Sequence, residues 1–129
     1  MTTKPESTSS LVSSSPTVAT IIYSNTAKFP LGQIVATHGA LARLQETGFS
    51  AAALVSRHVH GDWGDLCDED RAENDYAVTR RLRILSCYRL VDAERLAATP
   101  KDKRSSLPVL WIITEADRSF TTLLRPDEY

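Results

Sequence analysis

The chain has 129 residues, 42% of them hydrophobic and 24% charged, with a formal net charge of −1. That length supports one domain with a core of ordinary size and leaves no room for a second. The lack of a basic excess argues against a dedicated nucleic-acid binder, no apolar run approaches the ~18 residues that span a bilayer, and Cys67 and Cys87 are too few and too far apart for a disulfide scaffold or a Cys-x-x-Cys metal site.

The opening "MTTKPESTSSLVSSSPT" is rich in Ser, Thr and Pro and nearly empty of large apolar residues, so residues 1–17 are expected to be a flexible tail. A single α+β domain is expected over 18–129. No charged start leads into an apolar h-region, which places the expected protein in the cytoplasm with both thiols reduced.

"VATIIYS" at 18–24 is β-branched and aromatic and reads as a short strand. "GQIVAT" at 32–37 reads as a second strand running into a helix. Thr37 is a good N-cap for "HGALARLQET", which carries Ala40, Leu41 and Leu44 along one side and stops at Gly48. Ser50 is placed to cap "AAALVSRHV", where Ala51, Leu54 and Val55 recur at i, i+3, i+4 and Gly61 ends the helix. "DEDRAENDYAVTRRL" reads as a third helix capped by Asp68, with Glu69 and Asp70 at the positive end of its dipole and Arg80 and Arg81 at the negative end.

The last third changes period. "LRILSCYRLV" puts Leu82, Ile84, Tyr88 and Leu90 on one face, and "VLWIITE" and "SFTTLLR" are further strands joined by a tight turn through "ADR". "DAERLAATPKDKRSS" reads as one helical turn and an exposed loop. The fold class expected is α+β: short N-terminal strands, about three helices, then a C-terminal antiparallel meander with the helices packed on one face.

"HVHGDWGDLCDED" at 58–70 is the most chemical stretch. "HVHGDW" matches an H-x-H-x-D-H zinc signature except that Trp63 replaces the last His, which makes His58, His60 and Asp62 a candidate metal set. Against it, His38 is the only other histidine. Calcium fails on spacing: with Asp62 first, the positions that need acids or glycine hold Gly64, Leu66 and Cys67. The plainer reading is a turn between two helices, with Trp63 plugging the junction.

No Gly-x-Ser-x-Gly elbow, phosphate loop or dinucleotide fingerprint is present, so no catalytic set is assigned and no cofactor is expected. Charge is segregated: seven acids from Asp62 to Asp75 precede a basic half. Asp62, Trp63, Asp65, Asp68 and Asp70 are therefore candidates for binding a basic protein partner. Arg80, Arg81 and Arg83 are the alternative, an RNA contact of the kind made by compact ribonuclease toxins.

The GDWGD and WIITEADRS motifs, with the stretches His58 through Leu66 and Ile112 through Thr122, resemble a group of small bacterial proteins encoded on plasmids and other mobile elements. The resemblance spans about 32–129; "AATPKDKRSS" looks like an insertion and His60 a departure from the group's pattern. It implies a genomic setting and brings no established activity. The leading expectation is a non-enzymatic protein-interaction module, one form of which is an inhibitor of a host defence system. A small metal-dependent hydrolase or nuclease and an RNA-binding protein are the alternatives. Exposed meander edges make a homodimer a further expectation.

Overall fold

The structure, a computed structural model, describes residues 26–129. The expected tail at 1–17 and the expected strand at 18–24 lie outside the described residues. The domain is α+β: β1 (Gln33–Ala36), α1 (His38–Thr47), α2 (Ala51–Val59), α3 (Asp68–Arg80), β2 (Ile84–Arg89), α4 (Ala93–Ala98), β3 (Val109–Thr114) and β4 (Phe120–Leu124), with short 3-10 turns at Lys101–Ser106 and Pro126–Glu128.

Local chemistry accounts for most boundaries. Thr37 and Ser50 accept hydrogen bonds from the amides of Ala40 and Ala53, each satisfying a donor the first helical turn leaves open. Gly48 closes α1 in the left-handed region at φ 77°. At α3 the sequence expectation is off by one residue: Cys67 occupies the cap without a side-chain bond, and Asp68 opens the first turn beside Glu69 and Asp70. The link after β2 holds more structure than one turn, since α4 is capped by Asp92 and followed by the first 3-10 turn.

The sheet runs β1-β4-β3-β2. β2, β3 and β4 pair antiparallel. β1 does not stay apart from them: it lies parallel to β4, with Ile34 opposite Thr121, so the sheet is mixed. A parallel partner so distant in sequence requires a crossover, which the three helices and β2–β3 provide.

Alternation along the strands gives the sheet two unlike faces. Ile84, Tyr88, Leu110, Ile112 and Leu123 are buried and join Leu44 of α1, Leu54, Val55 and Val59 of α2, and Ala77 of α3 in one core. Each such aliphatic or aromatic side chain contributes on the order of 1.5–3 kcal/mol when fully buried. The other face carries Val35, Phe120, Trp111 and Leu85, and the C-terminal Tyr129 ring packs edge-on against Trp111.

Candidate functional site

The GDWGD segment is a loop sealed onto the edge of β2. Gly61 and Gly64 both hold positive φ, 85° and 80°, and an added Cβ at Gly64 would fall 2.1 Å from the Cys87 carbonyl oxygen. Between them the Asp62 carboxylate accepts from Arg57 Nε at 2.7 Å and from the Gly64 amide at 3.2 Å. The adjacent Arg57 guanidinium holds the Asp62 carboxyl below its usual range. The Cys87 amide donates to Trp63 O at 3.1 Å, the Asp65 amide donates to Cys87 O, and the Arg89 amide donates to Asp65 Oδ2 at 2.8 Å. Arg71 of α3 returns two further bonds, to the carbonyls of Leu66 and Gly64.

Trp63 is 4% exposed and its Nε1 donates to Asp75 of α3 at 3.0 Å. The ring therefore faces the interior and is not available to a partner. Asp62 and Asp65 are exposed but paired, Asp62 with Arg57 and the Gly64 amide and Asp65 with the Arg89 amide. Of the five residues expected to bind a partner, Trp63 alone is buried, and Asp68 and Asp70, at the start of α3, are exposed and outside any ion pair among the described residues.

His58, His60 and Asp62 do not converge. His58 is fully buried and uses both ring nitrogens, Nδ1 with Ser86 Oγ at 2.6 Å and Nε2 with Thr114 Oγ1 at 2.9 Å. His60 Nδ1 lies 2.6 Å from the Ser56 carbonyl oxygen. Asp62 is paired with Arg57. Among the described residues no three His, Cys, Asp or Glu side chains are placed to hold a metal. The zinc-like spacing fails because a helix ends between its members: His58 points inward from the last turn of α2, and Asp62 lies beyond the reversal at Gly61.

The polar chain that His58 enters is the feature sequence reading missed. Thr121 Oγ1 donates to the Leu31 carbonyl at 2.7 Å, so Thr121 must accept from Thr114, 2.7 Å away. Thr114 must then accept from His58 Nε2–H, and Nδ1 accepts from Ser86. Every proton in the row is fixed by the terminal carbonyl, which can only accept. Burial, reinforced by the nearby Arg118 charge, drives the His58 pKa down to about 3, which keeps the ring neutral. Ser86 beside His58 resembles a nucleophile and its base, but Ser86, His58, Thr114 and Thr121 have no exposed surface and offer a substrate no approach.

Arg80, Arg81 and Arg83 diverge. Arg80 lies over the Tyr76 ring, Arg81 takes the left-handed position that ends α3, and Arg83 turns to Glu115 and Tyr129 on the opposite face of the sheet. The arginine with a structural role is Arg118, which the sequence did not single out. Its guanidinium is buried at the end of α3, donating to the carbonyls of Leu82 at 2.7 Å and Ala77 at 3.0 Å and lying over the Phe29 ring. A cation belongs there because the last carbonyls of a helix carry its negative end.

What stays open on the helical side is α3. Of its 13 residues only Asn74 and Ala77 are buried. Asp68, Glu69, Asp70 and Glu73 are exposed and join no ion pair among the described residues, and Tyr76, next along that surface, is 55% exposed. Fold and surface together define a small α+β domain with an apolar core that encloses one polar chain, and an acidic helix on its flank. The chain shows no match to a family model, to a curated protein or to a solved structure.

Proposed function

We propose that this chain is a non-enzymatic protein-interaction module whose docking surface is the solvent side of α3. Asp68, Glu69, Asp70 and Glu73 meet a basic surface, and Tyr76 supplies an aromatic contact. The observation that carries the reading is the state of those four carboxylates: none has an internal cation to satisfy, whereas Asp62 and Asp65 do. Unpaired like charges on one helix end repel each other and favour a complementary partner. The row of polar groups at His58 serves the core, and the reading needs no metal, cofactor or nucleic acid. The mobile-element resemblance ranks a cytoplasmic component of a bacterial defence system first among partners.

The test is capture from a bacterial lysate, with nuclease, by the wild-type chain and by a variant carrying Asp68→Lys, Asp70→Lys and Glu73→Lys. A stoichiometric basic protein retained by the wild type and lost by an equally stable variant is expected. Equal capture by both, or capture that vanishes with nuclease, would overturn the assignment.

A further inference from the structure

We draw no further inference here: the strongest candidate, the sheet face opposite the helices that carries Trp111 and the exposed Phe120, is an unpartnered apolar face, and nothing in the structure shows what covers it.

Discussion

Thr37 and Glu128, 91 positions apart, share a 2.7 Å hydrogen bond in which the Thr37 hydroxyl donates to the carboxylate while accepting the Ala40 amide. Glu128 thereby places its charge at the amino end of α1, where a carboxylate is favoured. Gly39 makes room: a Cβ there would lie 2.4 Å from Glu128 Oε2. Removing Glu128 with Glu128→Ala is expected to cost about 1 kcal/mol. Gly39→Ala should be neutral or destabilising in the wild type but stabilising in the Glu128→Ala background, where the helix gains up to about 1 kcal/mol of propensity. Urea melts of the four chains check the coupling, and additive effects would contradict it.

His58 makes stability depend on pH with a definite sign. Its folded pKa, about 3, lies below the ordinary value of 6.5, so the unfolded chain binds more protons between those limits. Stability is therefore fully present above pH 6.5 and falls as pH drops through that window, with a slope approaching about 1.4 kcal/mol per unit. Asp62 shifts in the same sense at lower pH, since its depressed carboxyl loses its ion pair on protonation. His58→Gln, less stable at pH 7, should lose most of the slope between pH 6.5 and 4.5. An unchanged slope there would mean the ring is not buried and neutral.

Trp63→Ala should destabilise by about 3–5 kcal/mol, the cost of a large aromatic deleted from a core. Asp75→Asn, which keeps the shape but removes the carboxylate that accepts from the indole, should cost far less and alter the Trp63 emission. A Trp63→Ala chain that melts with the wild type would put the ring on the surface after all.

Hydrogen exchange reports on the β2 margin of the sheet. The amides of Leu85, Cys87 and Arg89 have partners and should exchange slowly although β2 lies at a sheet margin. Gly64→Ala, forced into a positive φ and onto the Cys87 carbonyl, should release all three and promote aggregation. Protection of Leu85 alone surviving would indicate that Asn74 holds its end independently of the loop.

Zinc or manganese should leave the melting temperature unchanged, since His58 already uses both nitrogens and lies apart from Asp62's ion pair. A saturable increase at stoichiometric metal would contradict that geometry.

Much of the fold was legible because its signals are local. Thr37, Ser50 and Gly48 mark helix ends through bonds and dihedrals that involve their own neighbours, and the alternation in Ile84–Arg89 records one buried face. What depended on distant pairing was not. The antiparallel meander of β2, β3 and β4 was expected, but nothing in "QIVA" announces that β1 joins it, parallel to β4. The same limit governs the site. Histidines spaced two apart suggest a metal until the end of α2 separates them, and Asp65 reads as a free acid until Arg89 claims it. Arg118 lay within the WIITEADRS motif and the expected ADR turn, but its role was not legible, because its partners are carbonyls at the distant Ala77 and Leu82. Asn74, an unremarkable polar residue in a charged helix, proves to mimic a strand for Leu85.

The latch between Gly64 and Cys87 also bears on how the chain acquires its shape. The α2–α3 connection cannot settle until β2 is in place, and β2 has no finished margin until that connection reaches it. Residues from Arg57 to Arg89 are thus bound into a single cooperative unit, tied internally by Arg57 to Asp62, Trp63 to Asp75, and Asn74 to Leu85. β1 joins the carboxyl-terminal part of the chain separately, through its parallel ladder to β4 and the Thr37–Glu128 bond, so its pairing does not depend on that latch.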